Sequence, residues 1–141
     1  EAKRADATRL GAEVAIDPDS EDLQAWMGQV DLILDTISNP HDLNRWFSLL
    51  RRGGKLCLVG VPTEQLEIFP ALMVFGDRAL EGSLIGGIAD TREMMQFAHS
   101  HGLGAEIELI QPEEIQTAWH RLHKGDVQYR FVIDLESLGS G

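Results

Sequence analysis

The sequence predicts an α/β fold built on a doubly wound parallel sheet, and three observations carry that expectation. Short apolar runs alternate with stretches of about ten residues patterned as amphipathic helices, the rhythm of crossovers between parallel strands. Glycines fall where helical patterning stops, a position that favours a left-handed backbone. The 141 residues are 43% hydrophobic, enough to bury a core.

Residues 1–10 are good helix formers and stop at Gly11. This helix opens without a cap or an initiating Met, so the chain reads as truncated upstream. Val14, Ala15 and Ile16 read as a short strand. Asp19 and Ser20 are alternative caps for a helix through Met27, ended by Gly28, and residues 30–37 follow as a strand. A helix over 42–52 places Leu43, Trp46, Phe47 and Leu50 on one face and is closed by Gly53 and Gly54. Residues 55–61 are again a strand. The pattern loosens after Pro62, and 79–85 give a further strand running into Gly86 and Gly87. Asp90 and Glu93 form a capping pair for a helix that carries Met94, Met95, Phe97 and Ala98, its methionines reading as core, and that ends at Gly102. Residues 105–110 read as a short strand. Pro112 opens a helix with Ile115, Ala118, Trp119 and Leu122 on one face, closed by Lys124 and Gly125. Residues 129–135 are the last strand, and 138–141 read as a flexible end.

The formal charge of −11, from 23 acidic and 12 basic residues, argues against a protein that grips nucleic acid or an anionic membrane through a broad basic surface. A few local basic groups can still hold one small anionic ligand. The single cysteine, Cys57, excludes an internal disulfide and sits in the apolar run 56–59, where it reads as an inert buried thiol. No run approaches the roughly 18 apolar residues of a membrane span, and no signal peptide opens the chain, so a reducing cytoplasm is the expected setting.

In a doubly wound sheet, ligands bind outside the carboxyl ends of the strands. That points to Thr36-Ile37-Ser38, Val59-Gly60-Val61-Pro62 and Ser83-Leu84-Ile85-Gly86. Small residues there let a flat ligand approach the backbone, and the same residues also serve as plain turns. No G-x-G-x-x-G lies between a strand and a helix, and there is no C-x-x-C or H-E-x-x-H spacing. The five histidines, His41, His99, His101, His120 and His123, lack partners in any recognisable arrangement, and no metal site or catalytic triad is expected within the chain.

Taken in order, several short segments resemble the medium-chain, zinc-type alcohol dehydrogenases, in particular the cinnamyl-alcohol-dehydrogenase-like branch of NADP-dependent aldehyde reductases. They are Ala2-Lys3-Arg4 with Leu10-Gly11-Ala12, Val30-Asp31 with Asp35-Thr36, Leu50-Arg51-Arg52-Gly53-Gly54 and Val59-Gly60-Val61-Pro62. Gly82-Ser83-Leu84-Ile85-Gly86-Gly87, Thr91-Arg92-Glu93-Met94 and the run from Gly125 to Asp134 continue the match. The resemblance implies that residues 1–87 are the later part of a Rossmann NAD(P)-binding domain and 88–141 a helix and strand segment returning to the catalytic domain. The first Rossmann strands, their glycine-rich turn, the zinc ligands and the proton relay would lie upstream. Strand 14–16 would then lack its usual neighbour, and the isolated chain would be poorly stable.

The same resemblance implies roles for individual residues. Lys3 and Arg4 would hold the 2′-phosphate of NADP, with NAD as the other cofactor choice. Thr36 would wall the adenosine side; Val59, Gly60 and Val61, with Ser83, Leu84 and Ile85, would line the nicotinamide. Arg130 would return to the pyrophosphate, and the strand near 80–85 would pair across a homodimer. Hydride would pass between NADP(H) and a small-molecule primary alcohol or aldehyde. Two other readings stand beside this one: a zinc-independent quinone or enoyl reductase of the same superfamily, and a noncatalytic α/β interaction module that kept the fold and lost its ligand.

Overall fold

The alternation read from the sequence builds a parallel sheet in the computed structural model, which describes residues 2–136 apart from the side chains of Ala2 and Lys3. Residues 138–141 therefore lie outside the described residues. The chain divides into two units, residues 1–85 and 86–141.

In the first unit, helix α1 (Ala2–Arg9) leads through an irregular stretch to a 3-10 helix at Glu21–Trp26. Then come β1 (Val30–Asp35), α2 (Leu43–Leu49), β2 (Leu50–Leu58), α3 (Pro70–Val74) and β3 (Ala79–Gly82). The three strands lie in the order β1-β2-β3, all parallel, and a helix carries each crossover. Asp42 caps α2, its carboxylate accepting the Asn44 N–H at 2.9 Å. The expected apolar face of α2 is the core: Leu43, Phe47 and Leu50 are buried with Leu56 of β2, while Leu72 and Met73 of α3 pack against them. The opposite face of the sheet carries Leu32 and Leu34, 53% and 63% exposed.

Several sequence expectations are corrected. Residues 14–16 form no strand, because an extended segment needs a neighbour for its backbone groups and neither sheet offers one there. The helix expected through Met27 is only the 3-10 turn, and Ser20 makes no side-chain cap bond. Gly53 and Gly54 do not close α2. They lie inside β2, where Val30 pairs with Leu50 but Leu32 with Lys55, so β2 bulges between these pairs. Gly53 takes the left-handed backbone there, at φ +74°, and its N–H donates to the Gly76 carbonyl at 3.0 Å. Cys57 is half-buried rather than a core thiol, and the loose stretch after Pro62 contains α3.

The second unit comprises α4 (Ile88–Ser100), β4 (Glu108–Ile110), a 3-10 turn at Pro112–Glu114, α5 (Ile115–His123) and β5 (Phe131–Ile133). β4 and β5 pair in parallel with α5 as their crossover, and Ile110 and Ala118 are buried. Arg121 of α5 ties the unit together. It pairs with Glu108 at 2.8 Å and Asp126 at 3.0 Å, and its guanidinium lies 5.0 Å from the centre of the Phe131 ring. Asp90, without Glu93, caps α4 by accepting the Gly87 N–H at 2.8 Å. Met94 and Met95, expected as core, are exposed, as is Phe97. Helical periodicity shows which face is apolar, not what covers it.

Candidate cofactor-binding edge

Because β1, β2 and β3 are parallel, their carboxyl ends share one edge, and the segments leaving them are held there by the first polar residue that the sheet buries. Asp35 ends β1 with its side chain only 3% exposed. Its backbone carbonyl accepts the N–H groups of Val59 at 2.8 Å and Gly60 at 2.9 Å, clamping the exit of β2 to that of β1. Its carboxylate turns the chain: Oδ1 accepts the Ile37 N–H at 3.0 Å, which draws residue 37 off the ladder and explains why β1 stops short of the expected 37. Ser83 joins the same edge by donating its N–H to the Leu58 carbonyl at 3.0 Å. β3 accordingly ends at Gly82 rather than 85.

The approach of the two exits requires glycine at 60. A Cβ there would lie 2.4 Å from the Ile37 carbonyl oxygen and 2.8 Å from the Thr36 carbonyl carbon. Beyond this contact the edge is apolar and open, with Val61 82% exposed and Leu84 and Ile85 each 91% exposed. Among the described residues, no group accepts from the backbone N–H of Val61, Leu84 or Ile85. Beside Thr36, a cleft of about 180 Å³ is lined by Ile33, Leu34, Asp35, Ile37 and Trp46. An apolar rim with unspent backbone donors fits a flat heteroaromatic ring bearing a carboxamide, the nicotinamide end of a dinucleotide.

Thr36, Val59, Gly60, Val61, Ser83, Leu84 and Ile85 are thus brought to one edge. Arg4 is exposed on α1, while the Lys3 side chain lies outside the described residues. Arg130 belongs to the second unit, exposed just before β5, where its carbonyl accepts the Glu108 N–H at 2.9 Å.

The sequence reading missed His41. Its Nε2 lies 2.7 Å from Oδ2 of Asp35 and its Nδ1 2.8 Å from the Asn39 carbonyl, with 12% of the side chain exposed. A carbonyl and a carboxylate both only accept, so the ring satisfies both partners as an imidazolium. The Asn39 carbonyl holds the His41 ring above its ordinary value; partial burial opposes the rise, and the carboxylates of Asp35 and Asp42 add to it. An Asp ending an apolar run, with His six residues on before the next helix, was the available signal.

The model of the zinc-binding dehydrogenase family matches residues 1–100. The chain belongs to this family. Within it, the aldehyde reductase YahK of Escherichia coli K12 is 42% identical over 142 aligned positions, covering 98% of this chain and 40% of that protein. A cinnamyl alcohol dehydrogenase from Sorghum bicolor superposes with a TM-score of 0.89 at 35% identity, over 96% of this chain and 39% of that one. The CAD from Helicobacter pylori, solved with NADP(H), gives 0.78 at 34% identity, over 95% and 38%. The chain therefore carries the Rossmann-like cofactor fold of these zinc-binding dehydrogenases while spanning well under half of their length.

Proposed function

We propose that this chain is the cofactor-holding, C-terminal portion of a zinc-dependent alcohol dehydrogenase or aldehyde reductase that passes hydride between NADP(H) and a primary alcohol or aldehyde. The observation that carries the reading is the convergence of Thr36, Gly60, Val61, Ser83, Leu84 and Ile85 on one parallel edge in a member of the zinc-binding dehydrogenase family. It is supported by the relatives, one an aldehyde reductase and another solved with NADP(H). Residues 1–87 form the later part of the cofactor domain and 88–141 return to the catalytic domain. The zinc that polarises the substrate oxygen is held by residues outside this chain.

The chain's own work is orientation. Bound at this edge, NADPH supplies the hydride. The rim of Val59, Val61, Leu84 and Ile85 keeps water from one ring face, and the N–H groups beyond Gly60 and Ser83 meet the carboxamide. Lys3 and Arg4 bind the 2′-phosphate, Arg130 the pyrophosphate, and Thr36 flanks the adenosine side. The segment over 80–85, which continues β3 at an open edge of the sheet, pairs across a cytoplasmic homodimer.

Titration of NADPH and NADH into the full-length enzyme tests this reading. Lys3→Ala weakens NADPH about tenfold or more, the worth of a charge-assisted contact, and leaves NADH nearly unchanged. Equal losses for both cofactors contradict the phosphate assignment, and micromolar binding of neither contradicts the function. The 141 residues alone, loaded with zinc and NADP, oxidise no alcohol; clear turnover would overturn the division of labour.

A further inference from the structure

We propose that His41 is a positioning residue for the cofactor edge, its ring bridging the Asn39 carbonyl and the Asp35 carboxylate so that the turn at 36–37 stays pressed against Gly60. The inference rests on the function proposed above and assigns the shape of that site to a residue that need not touch the cofactor. Asp35 meets the β2 exit with its carbonyl, the 36–37 turn with Oδ1 and His41 with Oδ2. His41 in turn ties the far end of the loop, at Asn39, to the end of β1. The loop is thereby pinned at 37 and at 41, and Thr36 and the Ile37 carbonyl have one place to lie.

The chemistry of the clamp sets its condition. A carboxylate 3% exposed requires compensation, and among the described residues His41 supplies the one positive charge beside it. The charged groups acting on the ring are Asp35 of β1 and Asp42 at the cap of α2, both acidic. They favour the protonated ring, in which both nitrogens donate. Deprotonation removes one donor, so either the Asn39 or the Asp35 bond is lost and the loop is released at one end. Cofactor binding should therefore weaken as pH rises through the titration of His41.

The test measures NADPH dissociation constants for the full-length enzyme from pH 5.5 to 9, in the parent, His41→Ala and His41→Gln. The expected result is about tenfold weaker binding in His41→Ala at pH 6, the worth of a charged hydrogen bond, with a flatter pH profile than the parent's. His41→Gln, which keeps one amide donor, recovers part of the loss. Parent-like affinity and pH profile in His41→Ala would overturn the inference while leaving the cofactor reading intact. A parent that binds neither NADPH nor NADH sinks both. Should the variants not fold, a pH titration of the parent's His41 ring by nitrogen NMR decides: a ring that loses its second proton only above the ordinary value of 6.5 supports the clamp, and one that loses it at or below 6.5 overturns it.

Discussion

Replacing Gly60 by alanine tests whether the close approach of two backbones shapes the edge. The added Cβ would sit 2.4 Å from the Ile37 carbonyl oxygen, 2.7 Å from its carbon and 2.8 Å from the Thr36 carbonyl carbon. Comfortable carbon contacts lie near about 3.5–4.0 Å, so the overlap approaches an ångström and faces main chain, not a side chain that can swing aside. Relief must move one exit from the other. Both are tethered to Asp35, by the N–H groups of Val59 and Gly60 on one side and that of Ile37 on the other. Overpacking of this kind costs roughly 1–3 kcal/mol, and losing one tethering bond adds about 1 kcal/mol, so the expected loss is about 2–4 kcal/mol. Urea unfolding of the purified protein measures it, and NADPH binding should weaken in parallel. Gly104→Ala is the control: a Cβ there, between α4 and β4, meets nothing within 4 Å, and its effect should stay within about 0.5 kcal/mol. Gly60→Ala as stable as Gly104→Ala would refute the steric argument.

Phe47→Ala empties the centre of the α2–sheet core, where Phe47 is fully buried, and should cost about 3–5 kcal/mol in urea unfolding; a loss below about 1 kcal/mol would show that the core lies elsewhere. Because the His41 value is raised above 6.5 in the folded protein, its contribution to stability is full below about pH 6.5 and is lost as pH rises through the folded value. The stability gap between parent and His41→Gln should thus narrow from pH 6 to pH 9 in paired urea midpoints, and a constant gap would contradict the clamp. Arg121→Ala removes the partner that, after the Gln128 N–H, holds the Glu108 carboxyl below its ordinary range. Hydrogen exchange at Gln128, whose N–H donates to Glu108 at 2.9 Å, should quicken; unchanged exchange would remove Arg121 from the support of the segment carrying Arg130.

Hydrophobic rhythm located the large elements well where both their faces were decided locally. Residues 43–50 and 55–58 alternate as the α2–β2 core requires; α2 ends at Leu49 rather than 52 and β1 at Asp35 rather than 37, while β2 begins at Leu50 rather than 55. The failures share a physical cause. Residues 14–16 are apolar enough for a strand, but a strand forms only when a neighbour takes its N–H and C=O groups, which local sequence does not report. Gly53 and Gly54 fit a helix end, yet the same backbone freedom serves a bulge, and pairing with β1 chose the bulge. In α4, Met94, Met95 and Phe97 form an apolar stripe that the second unit leaves exposed.

The edge itself was legible as a place and illegible as a mechanism. Strand ends predict where Thr36, Gly60 and Ser83 fall, because parallel order brings every carboxyl end to one side. What fixes their spacing is Asp35, which reads in sequence as the polar residue that merely ends an apolar run. Its burial turns a boundary into a joint. One residue satisfies the N–H groups of the two residues that follow β2, the N–H of the turn and the ring of His41, so the exits of two strands and the entry to α2 meet on a single side chain and its carbonyl. A charge buried there is tolerable only with a cation against it, and that requirement, rather than any spacing rule for histidine, makes His41 part of the site.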